Sequence, residues 1–129
     1  MVTTVPTTLY QEFTPQNAVT GAIDYQRPFD NFTLRAHLDG NWDSGSYGTD
    51  RDPAPGVLAI KSQPGLVFNG RIALGDIQVA QGSRLTLSLW ARNLFDEQHL
   101  YTRSFSPTSG IGGVFNDPRT FGVEGRASF

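Results

Sequence analysis

Apolar and polar residues alternate with a period of two in five segments of the chain. From residue 32 to residue 42, the even-numbered positions are apolar or glycine and the odd-numbered positions are polar. Because successive side chains of a β-strand point to opposite faces, such a segment forms a strand with one apolar face. The same pattern spans residues 19–26, 66–75, 85–92 and 120–129. With no helical periodicity of similar strength, the sequence predicts an all-β protein, an antiparallel meander of five long strands.

The two faces of these predicted strands differ sharply in charge. The apolar face carries no charged residue, whereas the opposite face carries seven: Asp24, Arg35, Asp39, Arg71, Arg92, Glu124 and Arg126. An apolar sheet face either packs against a second protein layer or contacts lipid. The alternation therefore fits both a soluble β-sandwich and one wall of a membrane barrel.

The third segment contains Asn69-Gly70, a pair that favours a two-residue hairpin turn and would divide the strand. The apolar positions keep their phase from Leu66 to Leu74 across this pair. A glycine inside a strand is tolerated, although it weakens the strand. We therefore predict one continuous strand, with a hairpin turn at Asn69-Gly70 as the alternative.

The predicted connections alternate in length. Residues 27–31 form a short turn, and a medium turn runs from Asp76 to Ser83. Long loops run from residue 43 to residue 65 and from residue 96 to residue 118, the second with a flexible glycine-rich tip at 110–113. Residues 1–17 are expected to be a loop or the end of a preceding strand, and residues 18–129 to be the strands of an incomplete domain.

Three features favour the wall of a membrane barrel over a soluble β-sandwich. The lengths of the predicted strands are close to the about 9–11 residues that a tilted strand needs to cross a bilayer. Short turns at one end and long loops at the other are typical of transmembrane barrels. Aromatic residues mark the ends of the apolar face, as in the girdles of such barrels: Tyr25, Phe32, Phe129, Trp42, Phe68 and Phe121. The sequence thus predicts a partial wall of a transmembrane β-barrel, in contact with lipid.

In such a wall the polar face lines the lumen. The predicted lumen-facing residues are Arg35, His37, Asp39, Arg71, Arg92, Glu124 and Arg126. Aromatic residues in the long loops supply stacking area, and loops commonly carry binding function. The candidates for ligand contact there are Tyr47, Tyr101, Phe105 and Phe115.

Composition excludes several classes of function. Ten Lys and Arg against twelve Asp and Glu give a net charge of −2, which argues against a nucleic-acid partner. The absence of cysteine excludes disulfides and thiolate metal sites. His37, Asp39 and Ser88 do not have the arrangement of a hydrolase triad, and two ligands do not make a metal site. We therefore expect no enzyme, no cofactor and no metal, and rank an esterase-like activity as the weakest hypothesis.

Motifs near the end of the chain resemble a known family. Residues 92–97 are Arg-Asn-Leu-Phe-Asp-Glu, residues 116–124 are Asn-Asp-Pro-Arg-Thr-Phe-Gly-Val-Glu, and the last residue is Phe129. Together they resemble the C-terminal end of a TonB-dependent outer-membrane receptor. The resemblance implies that Phe121, Val123 and Phe129 form the signal recognised by the barrel-assembly machinery.

The resemblance also implies a larger assembly in the bacterial outer membrane. Such receptors are barrels of about 22 strands that enclose a plug domain, through which TonB acts. We therefore expect a C-terminal fragment whose partners are lipid, the plug and the remaining strands. Its expected function is active uptake of a scarce nutrient, such as a siderophore, vitamin or oligosaccharide. The alternative is a small soluble β-sandwich that acts as a carbohydrate-binding or adhesion module.

Overall fold

The computed structural model describes residues 8–52, 59–80 and 82–129. In this part of the chain all regular structure is β-strand, which confirms the predicted all-β class. The strands are β1 (Ala18–Pro28), β2 (Thr33–Asp43), β3 (Gly65–Ala80), β4 (Ser83–Arg92), β5 (Leu100–Ser106), β6 (Gly110–Phe115) and β7 (Thr120–Ser128).

The five long strands form one antiparallel sheet in the order β1-β2-β3-β4-β7. This order confirms the predicted five-stranded meander. β5 and β6 form a separate two-stranded sheet. By its internal contacts the chain divides into a strand unit, residues 19–41, 66–97 and 117–129, and a loop unit, which comprises the described parts of 1–18, 42–65 and 98–116.

The pairing register keeps apolar residues beside apolar residues. Ile72 of β3 pairs with Leu89 of β4, and Leu89 pairs on its other side with Val123 of β7. On the opposite face, Ser88 pairs with both Ala73 and Glu124. Because a slip of one residue would move every side chain to the other face, this register agrees with the two faces that the sequence predicts.

The Asn69-Gly70 pair lies inside β3, as predicted, and does not form a turn. Gly70 pairs with Ala91 of β4 in the regular ladder. A Cβ built at Gly70 would meet Leu38 and Leu94 side-chain atoms at an ordinary 3.8 Å. The hairpin alternative is therefore wrong, because the ladder continues on both sides of the pair.

The prediction of a medium turn from Asp76 to Ser83 is wrong. β3 continues to Ala80, which pairs with Ser83 at the start of β4. The connection is therefore much tighter than the sequence suggested.

A β-bulge inside β3 caused this error. Leu74 pairs with Leu87 and Ile77 with Leu85, so β3 has one residue more than β4 between these pairs. Asp76, within the bulge, has a φ of 60°, in the left-handed region that aspartate tolerates better than most residues. The extra residue shifts the apolar positions from even to odd numbers, so the alternation seemed to end where the strand only bends.

The prediction of a structureless loop from residue 96 to residue 118 is also wrong. It contains the β5–β6 hairpin, and the supposed flexible tip at 110–113 belongs to β6. Three of the six residues of β6 are glycine, a residue type that is depleted in strands. Because of this composition, β6 could not be recognised as a strand from the sequence.

Two aromatic side chains cover glycines on the strands beside them. A Cβ at Gly40 would lie 2.7 Å from Cε1 of Phe68, and a Cβ at Gly122 would lie 2.6 Å from Cζ2 of Trp90. Only a residue without a side chain leaves room for either ring. This packing explains why Trp90 occupies a position on the polar face.

The apolar face of the sheet remains uncovered by the described residues. Ala73 is the one buried hydrophobic residue among them, and it belongs to the polar side of the alternation. Ile23, Ile72, Leu89 and Val123 are 71%, 55%, 60% and 75% exposed. Within the described part of the chain, the hydrophobic side chains of the long strands are thus largely exposed.

The loop unit is held together by hydrogen bonds between segments that are distant in sequence. The Phe13 amide donates to the Tyr47 carbonyl at 2.8 Å, and Ser62 and Ser46 exchange two bonds of 2.8 and 2.9 Å. The Gln63 amide donates to the Leu100 carbonyl at 3.0 Å. The predicted loop from residue 43 to residue 65 is therefore ordered by specific contacts where it is described.

Replacing Gly45 with alanine is expected to destabilise the loop unit by about 2–4 kcal/mol, a large effect for one residue. Gly45 has a φ of 76°, and its Cβ would overlap the Ser62 carbonyl oxygen, so both strain and overlap oppose the change. Gly110→Ala is the control, because Gly110 has a φ of 78° in open space and should cost about 1 kcal/mol. Amide hydrogen exchange of residues 44–50 measures the first effect and that of residues 104–114 the second, and equal effects would contradict the predicted overlap.

Candidate functional site

The polar face of the strand unit carries a hydrogen-bonded network across β1, β2 and β3. Nδ1 of His37 lies 2.7 Å from Oδ1 of Asp24, and its Nε2 lies 3.3 Å from Oδ1 of Asp39. Asn69 and Asn41 donate to the other oxygen of Asp39 at 2.7 and 3.1 Å. The imidazole is thus held between two carboxylates, one of which also accepts bonds from two amides.

A second cluster joins β3, β4 and β7. Arg71 donates through Nη2 to Oγ of Ser88 at 2.9 Å and to Oε2 of Glu124 at 3.0 Å. Ser88 is 3% exposed, so its hydroxyl is a buried polar group that the guanidinium satisfies. The sequence placed these residues on one face, but only the register shows that they bond.

A third cluster lies at the β3 bulge. Asp76 accepts a bond from Nη2 of Arg35 at 2.9 Å, and its other oxygen lies 3.7 Å from Nη1 of Arg84. Arg35 reaches this carboxylate across Gly75, where a Cβ would lie 2.6 Å from its Nη1. The role of Asp76 was not predicted from the sequence, because the residue fell in the predicted turn from Asp76 to Ser83.

All seven residues predicted to line the lumen border two adjoining grooves on the polar face. A groove of about 580 Å³ is lined by Arg35, His37, Arg71, Glu124 and Arg126, among others. Asp39 and Arg92 line a groove of about 350 Å³ that also touches His37, Arg71 and Glu124. The structure therefore brings the predicted set together on one surface.

Replacing Glu124 with glutamine is expected to lower the free energy of unfolding by no more than about 1 kcal/mol. The Arg71 and Glu124 side chains are 47% and 44% exposed, so solvent screens their attraction. Denaturant unfolding in uncharged detergent micelles, followed by Trp42 and Trp90 fluorescence, measures the effect at low and at high salt. A loss of several kcal/mol would contradict the view that solvent reaches this pair.

Three of the four aromatic candidates for ligand contact lie on the β5–β6 hairpin, and Tyr47 lies in another segment of the loop unit. Tyr47 stacks on Tyr10 with ring centroids 4.3 Å apart. Tyr101 lies at an irregularity of β5 and is 64% exposed, and Phe115, opposite Leu100, is 61% exposed. Phe105 pairs with Ile111 across the same hairpin. None of the four lines the two grooves on the polar face.

Electrostatic effects in the loop unit are local. Desolvation and the nearby Asp52 carboxylate raise the pKa of the Tyr10 phenol above its ordinary value. Two hydrogen bonds from the Arg51 guanidinium, at 3.2 and 3.0 Å, lower the pKa of Asp50. Both groups therefore keep their ordinary charge states at neutral pH.

The motif residues after β4 form a compact hydrogen-bonded turn. Asn93 is 3% exposed, and its Nδ2 donates to the carbonyls of Glu97 and Asp117 at 2.8 and 3.1 Å. Its Oδ1 accepts from the Glu97 amide at 2.9 Å. The amide of Arg119 donates to Asp96 at 3.2 Å. The two segments that carry the family resemblance therefore contact each other, a structural role that sequence analysis did not assign.

The three residues of the predicted assembly signal are exposed, and Phe121 and Val123 lie on the apolar face of β7. Phe121, Val123 and Phe129 are 80%, 75% and 100% exposed. Phe121 and Val123 alternate along β7, where they pair with Ala91 and Leu89. Their placement agrees with the predicted apolar face, and their recognition by an assembly factor stays a prediction.

Among the described residues, no group of three or more His, Asp or Glu side chains is arranged to hold a metal ion. No helix in the described ranges is long and apolar enough to cross a membrane. No protein-family model matches the chain, and no solved structure matches it at a significant level.

Proposed function

We propose that this chain forms part of the wall of a transmembrane β-barrel in the bacterial outer membrane. The observation that carries the proposal is the uncovered apolar face of the five-stranded sheet, described above. Monomeric soluble proteins rarely expose an apolar patch larger than a few hundred Å². Hydrocarbon is the environment in which such a face is stable without a second protein layer.

The dimensions of the strands support the same proposal. β1, β2, β4 and β7 contain 11, 11, 10 and 9 residues. A strand tilted at about 45° crosses the bilayer core with about 9–11 residues. The tight connections between β1 and β2 and between β3 and β4 are typical of the periplasmic ends of such barrels.

The proposal requires further strands. In lipid, unpaired backbone groups cost several kcal/mol each, so β1 and β7 must pair on their outer sides. In a five-stranded antiparallel sheet the first and last strands run in the same direction. Because bacterial single-chain barrels have an even number of antiparallel strands, the remaining barrel would contribute an odd number.

Within this class we propose the C-terminal segment of a TonB-dependent receptor for active uptake of a scarce nutrient such as a siderophore, vitamin or oligosaccharide. This finer assignment rests on the motifs at 92–97 and 116–124, which resemble the family. The partners would be lipid, the plug domain, the remaining strands and the barrel-assembly machinery, with TonB acting through the plug. The segment would supply wall, loops and assembly signal, and no catalytic group.

Flotation with lipid vesicles tests the barrel-wall proposal. The full chain, refolded from denaturant beside neutral phosphatidylcholine vesicles, is expected to float with them through a density gradient and to resist extraction at alkaline pH, with the outer edges of β1 and β7 paired to those of further copies of the chain. Without lipid or detergent it is expected to aggregate. A monomer that melts cooperatively in plain buffer would contradict the proposal and favour the soluble β-sandwich.

A further inference from the structure

Basic residues concentrate at one end of the polar face. Arg35 lies near the start of β2, Arg84 near the start of β4 and Arg126 near the end of β7. Antiparallel pairing places these three positions at the same end of the sheet, which is also the end with the tight β1–β2 and β3–β4 connections. We call this set the arginine cluster.

Two members of the arginine cluster share a single carboxylate. Arg35 and Arg84 approach opposite oxygens of Asp76, at 2.9 and 3.7 Å. The Arg84 side chain is 62% exposed, which leaves most of its guanidinium open to another partner. The two guanidinium groups thus share the single carboxylate of Asp76.

Arg126 lies beside this pair and has no acidic partner in the described part of the chain. Arg126 pairs in register with Thr86 of β4. The Thr86 hydroxyl lies near Gly75, and the Arg35 guanidinium passes over the same glycine. The carboxylate two residues earlier on β7, Glu124, bonds to Arg71 instead. Arg126 therefore lines the groove as an exposed cation.

The arginine cluster thus presents three guanidinium groups and one carboxylate, an excess of two positive charges. Guanidinium groups bind carboxylates through short, often paired hydrogen bonds. Arg84 and Arg126 are diagonal neighbours on adjacent strands, a spacing of about 7–8 Å. Alternate residues of an extended peptide lie about 6.6 Å apart, which is close to the spacing of these two arginines.

We propose that the arginine cluster binds an extended acidic polypeptide segment whose carboxylates occupy alternate positions. The charge excess selects an anion, and the spread of the cluster over several strands selects a chain with repeated carboxylates over a small anion. The proposal goes beyond the barrel wall, because it names what meets the polar face. It holds whether lipid or protein covers the opposite face.

Peptide binding to the full chain in uncharged detergent tests the proposal. The probe is an eight-residue peptide with glutamate at alternate positions, and a peptide with glutamine in their place is its control. Calorimetry is expected to show at least tenfold tighter binding of the glutamate peptide, and weaker binding as salt rises. Equal affinity for the two peptides would overturn the proposal, as would tight binding of free glutamate or inorganic phosphate.

Substitutions locate the binding site. Arg126→Gln is expected to weaken binding of the glutamate peptide about fivefold to tenfold, as expected for the loss of one charge-assisted hydrogen-bonded pair. Arg126→Lys should retain part of the affinity. Arg27→Gln is the matched control, because Arg27 lies at the same end of the sheet but contacts the Phe29 ring at 5.2 Å. Wild-type affinity in Arg126→Gln, or an equal loss in Arg27→Gln, would overturn the assignment, whatever vesicle flotation shows about the apolar face.

Discussion

Replacing Ile23 with arginine is expected to block membrane insertion, whereas replacing its neighbour Ala22 with arginine should leave insertion intact. The two residues are adjacent in β1, and both are exposed. Ile23 belongs to the apolar face, where an arginine at the bilayer midplane costs about 2–4 kcal/mol. Ala22 lies on the polar face, between the Thr20–Asn41 and Asp24–His37 contacts.

The fraction of each variant that floats with vesicles measures this difference. A cost of about 2–4 kcal/mol corresponds to a loss of about thirtyfold to a thousandfold in the insertion equilibrium. The Ala22 variant controls for the added charge and for the loss of strand propensity. Equal flotation of the two variants, or a selective loss in the Ala22 variant, would contradict the assignment of the faces.

Replacing Asn93 with glycine is expected to lower the free energy of unfolding by about 2–4 kcal/mol, because it removes three hydrogen bonds of about 0.5–1.5 kcal/mol each and adds unfolded-state entropy. Glycine accepts the φ of 49° found at this position, so the loss reports the side chain and not backbone strain. Asn93→Asp retains the acceptor for the Glu97 amide and should lie between wild type and the glycine variant.

Urea unfolding in detergent micelles, followed by tryptophan fluorescence, orders the three proteins. The order wild type, aspartate, glycine would establish that the motif after β4 stabilises the turn through this side chain. A glycine variant within 0.5 kcal/mol of wild type, a margin at the usual size of surface substitutions, would show that the buried asparagine contributes little. That result would leave the motif without the structural role inferred here.

The strands of the main sheet could be predicted from sequence because their period-two pattern is strong. An uncharged face and a face with seven charges specify both the strands and their register, since a slip of one residue would invert every side chain. The pattern from Leu66 to Leu74 also overrode the local turn preference of Asn69-Gly70. The alternation along the whole strand thus outweighed the preference of one dipeptide.

The predictions of the Asp76–Ser83 turn and of the 96–118 loop were wrong for two reasons. In one segment local geometry changes the phase of the apolar–polar alternation, and in the other the composition makes the alternation unrecognisable. The bulge at Asp76 reverses the phase of the apolar positions within one strand. The glycines of β6 remove the side chains from which alternation is recognised. A search for alternation that allows one inserted residue would have extended β3 through Ile77 and Val79.

The polar face could be predicted as a set of residues but not as a set of contacts. Sequence position gives the face of each side chain, whereas the partner depends on register across strands. Arg71 meets Glu124 across β4 although 53 positions separate them in sequence. Sequence alone likewise could not reveal that Arg126 has no acidic partner among the described residues, on which the arginine-cluster proposal depends.

Site-directed spin labelling tests most directly whether hydrocarbon covers the apolar face. The chain contains no cysteine, so one cysteine can be introduced and labelled at a time in vesicles. The apolar-face labels are at Ile23, Ile72, Leu89 and Val123, and the polar-face labels are at Ala22 and Thr86. We predict that the apolar-face labels collide with oxygen and are shielded from a water-soluble nickel chelate. The polar-face labels are expected to collide with the nickel chelate and less with oxygen. Apolar-face labels that are immobile and inaccessible to both reagents would instead place those side chains against protein and contradict the membrane assignment.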